Sequence, residues 1–229
     1  MKIDRTKNAG RNIVFGCMLK IYQIVMPFIM RTLMIYYMGI QYLGLNSLFT
    51  SILQVLNLAE LGVGSAMVYS MYKPIAVDDK KMICALMKLY RTYYRVIGII
   101  IAFLGLCLVP FIPKLIKSDV PADINIYVLY ILNLSVTVLS YWLFAYKNCL
   151  LDAHQRTDVA SKVTLVTNTL QYIVQFFTLC ILKNYYAYII VSLAAQALTN
   201  ILTAVVATRM YPDYRPDGNL SKEVISGIN

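Results

Sequence analysis

The chain has 229 residues; 59% of them are of the AVILMFWYC set, only 14% are charged, and the mean hydropathy is +0.64. A soluble domain carries about 25% charged residues, so this chain cannot clothe a folded surface in polar groups, which excludes an ordinary cytosolic globule, a disordered chain and a secreted disulfide scaffold. The net charge of +10 does not point to nucleic acid either, because the basic residues fall between long apolar runs rather than on one face of a soluble fold.

The expected fold class is therefore all-α: a polytopic membrane protein. A short segment, 1–11, comes first and is expected in the cytoplasm. Six segments then reach the ~20 apolar residues needed to cross a bilayer: 12–38, 42–68, 83–112, 123–147, 160–182 and 186–208. A polar tail, 209–229, follows and reads as a linker. The first segment is not a cleavable signal, because its apolar run is long, it contains Lys20 and Arg31, and no small-residue cleavage site follows. In the third, the stretch from Lys88 to Arg95 alternates basic and aromatic residues, as at a membrane interface. Short links at 39–41 and 183–185 imply antiparallel neighbours.

Orientation follows from lysine and arginine. Lys114, Lys117 and Lys183 lie in the links on one side, and Lys20 and Arg31 lie within the first segment. The remaining sixteen of the 21 fall on or beside the other side, with the two termini. Positive charge collects in the cytoplasm, so both termini are expected there.

Five segments place polar side chains at helical spacing, where positions eleven apart differ by only about 20°. The first carries Lys20, Gln23 and Arg31 on one face; the second carries Asn46, Thr50, Gln54, Asn57 and Glu60. The fourth aligns Asn133, Thr137 and Ser140, the fifth Asn168, Gln171 and Gln175, and the sixth Ser192, Gln196 and Thr199. The third has almost none and reads as a lipid-facing or scaffold helix. Unpaired amides and charges are costly in hydrocarbon. Hydrogen bonding between packed helices would satisfy single hydroxyls, but five stripes with several long amides point to an enclosed hydrophilic cavity. Lys20 and Glu60 match in depth and can pair. Arg31 has no acid at its depth; it suits an anion such as a phosphate, through its planar, permanently charged fork. The candidate substrate-binding residues are Arg31, Lys20, Gln54, Asn57, Glu60, Asn168, Gln171 and Gln196.

No catalytic constellation, metal pattern or cofactor motif stands out. The only histidine, His154, lies between Asp152 and Asp158 in what reads as a solvated cytoplasmic loop. The five cysteines are scattered and form no CxxC pair; they read as small buried hydrophobes.

Several runs carry a resemblance. They are Pro27-Phe-Ile-Met-Arg31; Tyr37-Met-Gly39 through Tyr42-Leu-Gly44-Leu-Asn46-Ser-Leu-Phe49; Leu58-Ala-Glu60-Leu-Gly62-Val-Gly64-Ser-Ala66; and Tyr72-Lys-Pro74-Ile-Ala76. Over about residues 10–120 the chain resembles the N-terminal part of bacterial polysaccharide flippases, in the multidrug/oligosaccharidyl-lipid/polysaccharide exporter superfamily. The resemblance implies one six-helix lobe of a two-lobe transporter in a bacterial plasma membrane, without catalysis or cofactor, moving a polyprenyl-pyrophosphate-linked oligosaccharide by alternating access. Family members have twelve to fourteen spans, so a second lobe or self-association is implied. Rival readings are a multidrug exporter of the same superfamily, which would want acidic cavity residues, and a membrane enzyme acting on polyprenyl-linked lipids, for which Asp78-Asp79 and Asp152, His154 and Asp158 are the candidates.

Overall fold

A computed structural model describes residues 5–60, 62–116, 120–218 and 220. Lys2, Lys117 and Lys222, counted for orientation, lie outside them, as does most of the tail beyond 218. Among the described residues there is no strand. Among them nine α-helices run in order: α1 (Arg5–Tyr37), α2 (Ile40–Asn57), α3 (Val63–Ala76), α4 (Lys80–Leu108), α5 (Ile112–Leu115), α6 (Ile126–Trp142), α7 (Tyr146–Ala153), α8 (Thr157–Phe177) and α9 (Tyr185–Met210). Three starts are set by side chains that accept the free amides of a first turn. Asp79 accepts from Met82 N, Asn125 from Tyr127 N and Val128 N, and Asn184 from Ala187 N.

Among the described residues four helical stretches are long and apolar enough to cross a membrane: Asn8–Tyr37, Lys80–Leu115, Thr157–Leu182 and Tyr185–Met210. A fifth qualifies if α6 and α7, bent by 49° at their junction, form one span. This is the character of a multi-pass membrane protein. Six uninterrupted spans are not what the chain forms, because the second and fourth expected segments are each broken. The second, expected over 42–68, leaves α-helical geometry at Asn57, passes through a 3₁₀ turn at Leu58–Glu60, and resumes as α3 behind Gly62, which has φ +88°. That left-handed backbone is open to glycine at little cost and ends helical propagation. The fourth, expected over 123–147, stops at Trp142; Phe144 adopts φ +59°, and the chain turns into α7. No glycine or proline marks this elbow, and a bulky residue seldom takes that conformation, so the sequence pattern does not reveal it.

Both ends of the bundle are fixed by contacts distant in sequence. At one end, Arg11 meets Asp158, Lys80 meets Asp213, and the Lys147 ammonium donates to Tyr214 O at 3.4 Å. At the other, the Tyr42 hydroxyl donates to Asp123 at 2.6 Å, and Asn125 N donates to the Tyr186 hydroxyl at 2.6 Å. The starts of α1, α4 and α8 and the end of α9 therefore share one end.

Between these ends α1 packs on α8, α8 on α9, and α9 on α6, while α2 bridges α1 and α6. Five helices thus close a ring. Outside it, α4 lies along α6 at two glycines seven residues apart. A Cβ on Gly98 would come within 2.3 Å of Trp142 Nε1, and one on Gly105 within 2.5 Å of Leu134 Cδ1. Close backbone approach through small residues is how helices gain packing energy where lipid removes the hydrophobic difference. The Tyr130 hydroxyl exploits that approach by donating to Gly105 O at 3.0 Å.

Three further expectations are corrected. His154 is no solvated loop residue: it is 4% exposed and faces the rings of Tyr211 and Tyr214 at 4.3 and 5.5 Å. The first residues of the tail, expected as a linker from 209, stay on the bundle: Tyr211 and Tyr214 are buried against α7 and against His154, the residue that follows it. Of the cysteines, only Cys149 is buried, and Cys17 and Cys107 are exposed on the apolar outer faces of α1 and α4.

Candidate functional site

The ring encloses a cavity of about 360 Å³. Its wall is built from one stripe of each helix. From α1 come Pro27, Met30, Arg31 and Met34; from α2, Asn46, Thr50, Leu53, Gln54 and Asn57. α6 contributes Asn133, Val136 and Thr137, α8 Gln171, Tyr172 and Gln175, and α9 Tyr188, Ile189 and Ser192. Six amides and one guanidinium therefore converge on one space.

Part of this polar surface is fixed by bonds within the wall. The Gln175 amide nitrogen donates to Ser192 Oγ at 2.7 Å and to Tyr188 O at 3.1 Å. Tyr185 donates to Asn46 Oδ1 at 3.1 Å, and Tyr141 to Asn57 Oδ1 at 3.2 Å. Gln175 is 1% exposed and serves the wall. Arg31, Thr50 and Gln54, by contrast, are exposed, so the cavity opens past α1 and α2. Gln54 makes no hydrogen bond among the described residues, which leaves its amide for water or ligand. Arg31 forms no ion pair among the described residues.

The cavity lies mostly in one half of the bundle, with Leu53, Gln54 and Asn57 carrying its wall along α2 to that helix's far end. Arg31 lies near the end of α1, Asn46 and Ser192 lie near the starts of α2 and α9, and Gln175 near the end of α8. All four positions sit toward the turns at 38–39 and 183–184. The opposite half is sealed. Thr199 donates to Thr167 at 2.7 Å, the Gln196 amide to Asn200 at 3.2 Å, and Asn200 to the carbonyl of Ser140 at 3.2 Å. Beyond these, the buried Asp158 carboxylate is held by Arg156 at 2.9 Å, Lys162 at 3.2 Å and Arg11 at 3.6 Å.

Of the eight candidate residues, Arg31, Gln54, Asn57 and Gln171 lie on the cavity wall. The other four do not line it. Gln196 is committed to Asn200 in the sealed half. Asn168 is half-buried, and Lys20 is exposed on α1 below the opening. Glu60 has left the stripe because the helix carrying it breaks; its carboxyl interacts with the hydroxyls of Tyr94 and Tyr141 behind the wall. Lys20 and Glu60 form no ion pair among the described residues. Tyr172 and Tyr188, absent from the candidates, also line the cavity; the signal is helical spacing, three residues before Gln175 and four before Ser192. No group of three or more His, Cys, Asp or Glu among the described residues could hold a metal ion.

Comparison with protein-family models, with curated proteins and with solved structures finds no match.

Proposed function

We propose that the chain is one lobe of a membrane transporter that flips a lipid-linked oligosaccharide precursor of a surface polysaccharide between the leaflets of a bacterial plasma membrane. The observation that carries this reading is Arg31 at the opening of an amide-lined cavity in an otherwise apolar bundle. A pyrophosphate asks for a permanently charged, bidentate donor. Sugar hydroxyls ask for groups that both donate and accept, which Asn, Gln, Ser and Thr supply. At about 360 Å³ the cavity sits at the low end of small-molecule sites, with room for a head group rather than a whole glycan. The polyprenyl tail would stay in lipid beside the open α1–α2 side.

With the termini in the cytoplasm, as the charge bias suggests, the cavity faces outward and the Asp158 cluster lies on the cytoplasmic side. The arrangement resembles one state of an alternating-access cycle, in which a second lobe or a second copy completes the path. A cation exporter is less well supported, because Glu60 lies behind the wall while Arg31 lies on it. An enzyme is less well supported as well, because His154 is covered by two tyrosines and Asp158 is bound by three cations.

The test is Arg31→Ala beside Arg31→Lys, expressed at matched membrane levels, with appearance of the lipid-linked precursor on the outer surface as readout. Arg31→Ala is expected to abolish export and Arg31→Lys to retain a fraction of it. Export unchanged in Arg31→Ala would overturn the proposal.

A further inference from the structure

A second polar feature lies outside the ring, on α4. Its membrane-crossing stretch, Lys80–Leu115, has 36 residues, whereas a bilayer core needs about 20. Counted back from Leu115, the hydrocarbon boundary falls close to Arg95. Before that point Lys81, Lys88, Arg91 and Arg95 lie within an arc of about 80° and along about 21 Å of helix. All four are exposed, while Tyr90 and Tyr94 between them are buried. Beyond Arg95 the same side of the helix carries Ile99, Phe103 and Leu106, exposed by 56, 65 and 54%. One continuous face is therefore cationic at the boundary and apolar in the core.

The elbow between α6 and α7 completes the surface. Trp142, 47% exposed, lies in the notch left by Gly98 and donates its indole N–H to Arg95 O at 3.2 Å. Tyr146, the first residue of α7, is close enough to Arg91 and Arg95 to feel both charges. Lys81, Arg91 and Arg95 form no ion pair with a carboxylate among the described residues. Two arginines one turn apart, an indole at the same depth and an apolar track leading into the bilayer together match the shape and charge of a phospholipid.

We propose that Arg91, Arg95 and Trp142 form a binding site for an anionic phospholipid, whose phosphate meets the two guanidinium groups and whose acyl chains run along Ile99, Phe103 and Leu106. The occupant is a lipid of the surrounding leaflet. The site needs only that α4 crosses the membrane, and it stands or falls separately from translocation through the ring.

Trp142 is the only tryptophan in the chain, so its fluorescence reports this site alone. The full chain is reconstituted in phosphatidylcholine vesicles containing a minor fraction of either phosphatidylglycerol or phosphatidylcholine with bromines near the head-group end of the tails. Brominated phosphatidylglycerol is expected to quench Trp142 several-fold more effectively at equal fraction, with about fivefold local enrichment for each arginine at the surface. Arg91→Gln with Arg95→Gln should bring the two lipids level while quenching by brominated phosphatidylcholine stays as it was, which shows that the helix still sits at the same depth. Equal quenching by the two lipids in the unaltered chain would overturn the proposal. So would selectivity that survives the double substitution, or selectivity abolished by inorganic phosphate at constant ionic strength, which would mark a site for free anions.

Discussion

Replacing Asp158 with asparagine removes one charge from the cluster that joins the start of α1 to the start of α8, and leaves the shape almost unchanged. The carboxylate is fully buried, yet the cations around it are not: Arg156, Arg11 and Lys162 are 24, 33 and 43% exposed. Removing one partner of a buried ion pair costs about 3–5 kcal/mol. Water screens these three cations in part, which lowers the figure to about 2–3 kcal/mol. It does not vanish, because three positive charges would then converge without a counter-charge, and Arg11 Nε is already buried without a hydrogen-bond partner. The backbone bond from Asp158 N to Asn12 Oδ1, at 2.9 Å, would remain. For a chain of this length about 2–4 °C of melting temperature accompanies each kcal/mol, so Asp158→Asn should melt about 4–12 °C lower in detergent. Adding Arg11→Gln should restore part of that loss, since it relieves the repulsion. A melting temperature unchanged by Asp158→Asn, or lowered further by Arg11→Gln, would refute the reasoning.

Other consequences are open to direct measurement. Gly105→Ala would place a methyl 2.5 Å from Leu134 Cδ1 and should destabilise the α4–α6 contact by about 1–3 kcal/mol; Leu134→Ala in the same chain should recover stability, and thermal melting of both variants reads this. His154 Nδ1 lies 2.8 Å from Leu150 O, a carbonyl that can only accept, so Nε2 is the nitrogen that titrates. Burial lowers the His154 pKa below its usual 6.5, against the smaller opposing effects of its Leu150 bond and of nearby Asp78. Packing of Tyr211 and Tyr214 on it should thus be intact above pH 6.5 and loosen as pH falls below that value. Trypsin cleavage after Arg209 should speed up as the pH falls below 6.5, and His154→Phe should remove the dependence; a flat pH profile in the unaltered chain would contradict it.

Much of the ring was legible because lipid imposes a simple rule on polar side chains. Asn46, Thr50, Gln54 and Asn57 recur on one face of α2, and Gln171 and Gln175 on one face of α8; each stripe faces the cavity for want of any other polar surroundings. Helical spacing does not tell depth, however. Gln196 lies four residues beyond Ser192 on the same face, yet Ser192 lines the cavity and Gln196 closes the sealed half by bonding Asn200. Nor does it register a break: Glu60 belongs to the α2 stripe only if the helix continues, and the 3₁₀ turn at 58–60 carries it away. The burial of His154 was out of reach because it depends on Tyr211 and Tyr214, nearly sixty residues onward, docking against it. The elbow at Phe144 carries no turn residue at all.

Translocation through the ring requires that the amide-lined space be wet and reachable from one side of the membrane. On a background with the five native cysteines replaced, Gln54→Cys, Gln171→Cys and Gln196→Cys can be exposed to a membrane-impermeant thiol reagent applied to sealed vesicles of either orientation. Labelling is expected at 54 and 171 from the side bearing the turns at 38–39 and 183–184, little from the other side, and protection at 196 from both. Protection at 54 and 171 from both sides would reduce the cavity to a dry packing interface and remove the basis for a translocation path.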